Sequence, residues 1–495
     1  MEQESVKPFA AALAGMVIIS LLIALLIIPF PFVGDQALYV VFARMMNDGS
    51  VLYSDVWDVK QPGIFWFYSA VGAVAGFNEL AIHSAEAVYW ILGSILVALG
   101  LRRFVRKQWV AALFLVFGPA FYFAAGTTND FAQVEPLISL LIAGVVVLVA
   151  LAMDRPDSSR ILMMVTGVLA GVVGVFKLLA LIIPLTIVLT AGVLRWRRGE
   201  MTKGVVTGSL VPFGLGALVP LLLLAAWVLL SDLTSEVWFT WVEYPPEMLS
   251  LEERPVSRLL RSTFSFGVVF ASAGALGVYR LFKGNQRGRT LSMLALAALI
   301  ASCVYILLQL WWNVHFFVLV APLGILAVQG ADDLFESRRR VQIIGLVVAL
   351  TLSVPLALSI VDKSAAFTEL IGSRDLTEYQ SGIDKRFETA LQVAAPLNTA
   401  PGAQVYVIGI PLILYVLEAD QSIPINGWSP EFWTPEMWER VIVDLEEGDT
   451  EFVFFSDSAR DLAEERSPWF EDRLLASFSP LHEQSSGIWL IAADQ

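Results

Sequence analysis

The sequence predicts a polytopic α-helical membrane protein with about eleven transmembrane helices, two outer juxtamembrane helices and a small C-terminal extracytoplasmic α/β domain. Three observations carry that expectation. Of 495 residues, 57% are hydrophobic and 16% charged, with a mean hydropathy of +0.70, which leaves too little polar surface for a soluble chain of this length. Apolar windows of about 17–25 residues, the length that crosses a hydrocarbon core, recur from residue 9 to residue 361. From Asp362 onward the composition inverts, with 24 acidic residues against 8 basic ones.

The first window, FAAALAGMVIISLLIALLIIPF, is longer than a signal-peptide core and no small-x-small cleavage pattern follows it, so it is expected to be retained as a span. Further windows lie near 82–101, 108–125, 134–153, 204–230, 263–281, 291–309, 313–329 and 341–361. The apolar interval 161–194, interrupted by Lys177 and Pro184, fits two short or tilted spans. PGIFWFYSAVGAVAGFN at 62–78 is ambiguous by hydropathy, and the basic residues decide it. If it does not cross, the clusters within 102–107, 155–160, 195–203, 280–289 and 338–340 all share one side, as the positive-inside bias requires. If it does cross, all of them move to the opposite side. The expectation is therefore a multi-pass protein of the cell (cytoplasmic or inner) membrane with a cytoplasmic N-terminus. Residues 62–78 then form a juxtamembrane helix, with Trp66, Phe67 and Tyr68 at interface depth. The same parity puts 32–81, 126–133, 231–262 and everything after about 362 outside.

Two domains follow: a transmembrane domain over 1–361, with its first outer loop at 34–81, and an acidic extracytoplasmic domain over 362–495. In the latter, QVYVIG at 404–409, EFVFFSD at 451–457 and GIWLIAA at 487–493 read as strands. SPEFWTPEMWERVIVDLEEGD reads as a helix starting at Ser429-Pro430, and strands alternating with helices imply an α/β unit. QVYVIGIPLILY lacks the glycine spacing of a dinucleotide site. Cys303 is the sole cysteine, which excludes an intrachain disulfide, and three histidines are too few for a multi-histidine zinc site. A net charge of -14 gives no basis for binding nucleic acid.

The most informative polar stretch is VGDQALYVVFARMMNDGSVLYSDVWDVKQPG at 33–63. Asp35 directly follows the first span, at a depth where an unpaired acid is costly. It can cap a helix over QALYVVFARMMNDG, a role compatible with catalysis because a helix N-terminus favours the ionised carboxylate. Asp55, Asp58 and Lys60 share a tight loop closed by Gln61-Pro62-Gly63; together they can hold a divalent ion or an anionic phosphate, with a surface ion pair as the plainer alternative. GTTNDFAQVEP brings Asp130 and Glu135 to the same side, as acceptor or auxiliary contacts or, for Glu135-Pro136, as a helix start. Lys177 ends a short span and either snorkels or meets an anion. LQLWWNVHFFVLVAP sets Trp311 and Trp312 as interface anchors, beside a His315 that touches phosphate or sugar or serves structure alone. Arg258 and Arg261 stand against the positive-inside bias. Three apart on a helix, they share a face suited to a phosphate or pyrophosphate, or equally to lipid headgroups.

A retained first span, an Asp just beyond it, two juxtamembrane helices, a Gly-x-x-x-Tyr-x-Asp pattern and a Lys-x-Pro turn resemble the polyprenyl-phosphate-sugar-dependent glycosyltransferases of the GT-C fold. The likeness is nearest to bacterial relatives of the protein O-mannosyltransferases and to the aminoarabinose lipid A transferases, over about residues 10–360. In that resemblance Asp35 matches the first-loop acid, the general-base candidate. GSVLYSDVWDVKQPG matches the loop that gives Asp58 and Lys60 their counterparts, NDFAQVEP the second polar turn, and FKLLALIIP the lysine-bearing short span. Two positions depart from the pattern: Gln36 stands where a second acid is common, and Lys60-Gln61-Pro62 replaces Lys-Pro-Pro.

The resemblance implies a GT-C-like membrane domain that moves a sugar from a polyprenyl-phosphate donor to an envelope protein, lipid or glycan, with inversion. Lys60, helped by Lys177, Arg258, Arg261 or His315, would hold the donor phosphate. A divalent cation at Asp35 and Asp58 stays open. Two rivals come from other classes: a transporter of a small or lipid-linked solute, and a non-catalytic envelope scaffold.

Overall fold

In a computed structural model the chain is described over residues 2–155, 159–251, 254–283, 288–373, 375–484 and 486–492. It divides into two compact units interleaved in sequence. One comprises Met1–Ile28, His83–Ala225 and Arg254–Gly372; the other comprises Pro29–Ile82, Ala226–Glu253 and Ser373–Gln495.

Among the described residues, nine helices are long and apolar enough to cross a membrane, or up to eleven when each of two bent pairs is counted as one span. The upper number is the one expected from the apolar windows. The pair Arg339–Leu352 and Val354–Gly372 bends by 45° beside Pro355, whose ring cannot continue the hydrogen-bond ladder. Val256–Val269 and Ala271–Lys283 meet at 82°, where Phe270 leaves helical geometry with φ -95° and ψ 16°. The interval 161–194 breaks at Lys177, whose extended backbone (φ -163°, ψ 107°) separates Ser159–Phe176 from the next helical stretch. One helix, Val354–Ser373, runs through the composition change at Asp362.

Burial differs widely among the spans of the first unit. The spans Asn313–Phe335, Val134–Asp154 and Gln108–Ala125 are the most enclosed, whereas Lys7–Leu25 and Thr207–Leu230 leave most of their apolar surface outward, as lipid solvation permits. At one end of the unit, buried Arg280 donates to Asp333 at 2.7 Å. Asp332 accepts the backbone N–H groups of Arg106 and Lys107 at 3.0 and 3.1 Å. Arg280 is thus paired where it is buried, because an unpaired buried charge is costly.

The second unit joins the loop after the first span to the chain's last third. Helix Asp35–Asn47 packs on helix Gly63–Ala75, with Tyr39 edge-on to Phe65 at 5.3 Å. Gly63–Ala75 has 13 residues, about 20 Å at 1.5 Å per residue, short of the ~30 Å hydrocarbon core. This length fits the non-crossing reading of 62–78.

A five-stranded sheet completes this unit in the order β2-β1-β3-β5-β4. The strands are β1 Gln404–Ile408, β2 Asp420–Gln421, β3 Phe452–Ser456, β4 Phe478–Gln484 and β5 Gly487–Ala492. β1 runs parallel to β2 and β3, and β5 is antiparallel to β3 and β4. The three strands expected from sequence are β1, β3 and β5; Ala493, the last residue expected in the third, lies outside the described residues. The expected helix starts later than Ser429-Pro430. Thr434 caps it by accepting the Met437 N–H, and it spans Pro435–Glu447 with Met437, Trp438, Val441, Ile442 and Leu445 buried. Ser429 itself is left-handed, with φ 61°.

Candidate functional site

Gly34 sets the first element of the site. Its φ of 55° and ψ of -127° turn the chain out of the first apolar run and start helix Asp35–Asn47, a backbone conformation that glycine adopts without steric cost. Asp35 is the first helical residue and makes no side-chain capping bond; Gly34 holds the cap position. The capping alternative for Asp35 is thereby corrected, and its carboxylate is turned to other partners.

Those partners converge on one oxygen. Trp428 Nε1 donates to Asp35 Oδ1 at 2.8 Å, and Lys60 Nζ lies 3.5 Å from the same atom. Oδ2 accepts only the Tyr39 hydroxyl, at 3.5 Å, among the described residues, a long bond by normal criteria. Lys60 Nζ also reaches Asp58 Oδ1 and Oδ2 at 3.3 and 3.5 Å, and its ammonium stands 5.2 Å from the Tyr39 ring centroid. The loop is stiff at both ends of this triad. Asp58 Oδ1 accepts the Lys60 N–H at 2.9 Å, and the Tyr53 hydroxyl donates to Lys60 O at 2.7 Å. Tyr53 has φ 78° and receives the indole N–H of Trp241 at 3.2 Å.

The two carboxylates differ in what they face. Asp58 is buried at 3% exposure, whereas the Asp35 side chain keeps 31% of its surface open. Burial pushes the Asp58 carboxyl above the usual range, opposed by the Lys60 charge. Burial draws the Lys60 ammonium down, but the Asp35 and Asp58 carboxylates outweigh it and hold its pKa above the ordinary lysine value. Lys60 is therefore a firm cation clasped by two acids, one enclosed and one accessible.

Asp55 does not join them. Its Oδ2 accepts the Val51 N–H at 2.7 Å and its Oδ1 the Ser54 hydroxyl at 3.2 Å, so it closes a turn of the loop. The expected grouping of Asp55, Asp58 and Lys60 is replaced by Asp35, Asp58 and Lys60. Among the described residues no group of three or more His, Cys, Asp or Glu could hold a metal ion. A cation bridging Asp35 and Asp58 would also compete with the Lys60 ammonium for the same oxygens, so this donor set does not fit a resident divalent ion.

Within the other unit, Glu135 gathers two of the remaining candidates, Lys177 and His315, together with Tyr305. Its Oε1 accepts Lys177 Nζ at 2.7 Å and the Tyr305 hydroxyl at 3.0 Å, with His315 Nε2 at 3.9 Å. Lys177 Nζ also donates to Gln309 Oε1 at 2.5 Å. Lys177, expected to snorkel or meet an anion, thus meets a carboxylate of its own chain. Asp130 folds back to accept the N–H and hydroxyl of Thr127 at 2.8 and 2.7 Å, and burial raises its pKa. Arg258 stacks on Trp312 with 4.1 Å from Cζ to the ring centroid and donates weakly to Leu310 O. Arg261, on the same helix, is exposed.

Sequence reading missed Trp428, Tyr305 and Gln309, and also Glu86. Glu86 is fully buried, and its Oε1 accepts the Tyr122 hydroxyl at 2.6 Å and the Ala132 N–H at 2.7 Å. An acid inside an apolar window was a legible signal for Glu86. Trp428 carried none, because its partner lies 393 residues away.

No protein-family model and no curated protein matches the sequence. Solved structures do match. ArnT from Cupriavidus metallidurans bound to undecaprenyl phosphate aligns with a TM-score of 0.62 at 16% identity, covering 96% of this chain and 97% of that one. The same protein in the apo state aligns at 0.60 and 14%, with the same coverage. The Archaeoglobus fulgidus oligosaccharyltransferase tethered to an acceptor peptide containing the NVT sequon aligns at 0.51 and 11%, over 97% of this chain and 74% of that one. At such identities the likeness is one of fold: this chain is a polytopic α-helical membrane protein of GT-C-like architecture with a distinct strand-containing C-terminal part.

Proposed function

We propose that this protein transfers a sugar from a polyprenyl-phosphate donor to an acceptor of the cell envelope, on the extracytoplasmic side of the membrane. The observation that carries the proposal is the accessible Asp35 carboxylate beside the Lys60 ammonium, at the head of the helix Asp35–Asn47. In the reaction, an acceptor hydroxyl oxygen forms a bond to the anomeric carbon and the bond from that carbon to the phosphate oxygen breaks. The electron pair leaves with the phosphate, whose charge Lys60 offsets, and the hydroxyl proton passes to Asp35. Attack opposite the leaving group inverts the anomeric centre. Asp58 serves by fixing Lys60 rather than by meeting substrate, since it is enclosed and bonded to that residue's N–H and ammonium.

Fold likeness to a structure holding undecaprenyl phosphate supports a polyprenyl-phosphate donor here. Arg258, Arg261, Lys177 and His315 remain further candidates for the donor phosphate, and Asp130 and Glu135 for auxiliary contacts. The basic clusters favour a cytoplasmic N-terminus. Reconstitution in nanodiscs with a panel of polyprenyl-phosphate sugars and envelope acceptors tests the reading. The expected result is acceptor mass increased by one sugar together with released polyprenyl phosphate. Labelled-substrate flux into proteoliposomes without transfer would favour a transporter instead, and neither activity would favour a scaffold.

A further inference from the structure

The last third of the chain reaches the candidate base through one indole. Residues 424–428 lie along Trp57, next to the Asp58–Lys60 loop: the Trp57 N–H donates to Pro424 O at 2.8 Å, Trp57 and Ile425 form a parallel bridge, and Asn426 Nδ2 donates to Trp57 O at 2.7 Å. The Trp428 N–H then returns to Asn426 Oδ1 at 3.1 Å. Between them, Gly427 has no room for a side chain, since a Cβ there would sit 1.9 Å from Val407 O. Left-handed Ser429 turns the chain away immediately afterwards. Trp428 is thus fixed by backbone on both sides, with its N–H on Asp35 Oδ1.

We propose that Trp428 is a positioning residue for the transfer reaction, an inference that rests on the reading of Asp35 as base. With the indole N–H and the Lys60 ammonium both on Oδ1, the carboxylate cannot swap its oxygens freely. Oδ2 is thereby presented to the acceptor hydroxyl. A neutral donor achieves this alignment without adding a second positive charge, which would weaken the base. The C-terminal part of the chain is on this view a working wall of the site, and not an accessory.

The test uses the full-length protein in nanodiscs. Trp428→Phe removes the donor, and the benzothiophene analogue of tryptophan, incorporated at 428, keeps the ring shape while losing only the N–H. Loss of one hydrogen bond to a charged group is expected to lower kcat by about 10-fold or more, with donor KM changed less than about 2-fold. Combined with Asp35→Asn, the same change should add no further loss, because the indole acts through that carboxylate. Unchanged kcat in the benzothiophene protein would overturn the proposal, as would losses that multiply in the double variant. Full turnover in Asp35→Asn alone would instead sink the reading of Asp35 itself, so the two failures are distinguishable.

Discussion

Lys60 owes its charge to a balance between burial, which disfavours an ammonium, and two acids, which favour it. The acids win, so its folded-state pKa lies above the ordinary value of 10.5. A raised value means that its contribution to stability is complete below the unfolded lysine pKa and is lost only as pH rises through the higher folded one. Between about pH 6 and pH 10, donor KM should therefore show no break due to Lys60. Lys60→Met should raise that KM by roughly 10-fold or more at every pH in this window, because a charge-assisted contact to phosphate is removed. A KM break below about pH 9 in the wild type that the methionine variant abolishes would contradict this account. Asp35 and Lys60 were legible in sequence because charges beside an apolar run demand partners. Spacing alone grouped Asp55 with Asp58, and only the family resemblance singled out Asp58, since spacing does not reveal that Asp55 closes its own turn on Val51 and Ser54.

Elements were legible wherever periodicity was strong. The apolar windows matched nine single membrane helices among the described residues and the break at Lys177, because length and hydropathy dominate in lipid. The windows 263–281 and 341–361 instead run across the bends at Phe270 and Ser353. β4 escaped notice: its sequence FSPLHEQ is mostly exposed, contains Pro480, and pairs only with β5 at the sheet edge, where proline is tolerated. The start of helix Pro435–Glu447 was misplaced because Ser429-Pro430 mimics a cap while Thr434-Pro435 supplies one. At the head of helix Asp35–Asn47 the deciding residue is Gly34. Gly34→Ala forces a side chain into φ 55°, at a cost of about 1–3 kcal/mol. The expected outcome is a melting temperature lower by about 1–3 °C together with reduced turnover, since Asp35 is the next residue. A variant that keeps both would show that the helix start tolerates other geometry.

At the scale of the whole molecule, composition divided the chain at Asp362, and three-dimensional contact divides it differently. Pro29–Ile82 and Ala226–Glu253 belong to one unit with Ser373–Gln495. Hydropathy separates segments by solvent and is blind to which polar segments pack together. Arg44 illustrates the point: its guanidinium donates to Ala419 O at 2.5 Å and to Asp420 Oδ1 at 3.2 Å, tying the helix after the first span to β2. Tyr415 makes a second such long-range bond, donating to Glu79 Oε2 at 2.7 Å. This is why the candidate base and its Trp428 partner fall in one unit, although the sequence holds them at opposite ends. Transfer turns on Asp35 taking the acceptor's proton. Its most direct test is single-turnover transfer by Asp35→Asn, with donor binding measured on the same sample. The prediction is a rate lower by ~100-fold or more with the donor still bound; transfer at the wild-type rate would contradict it.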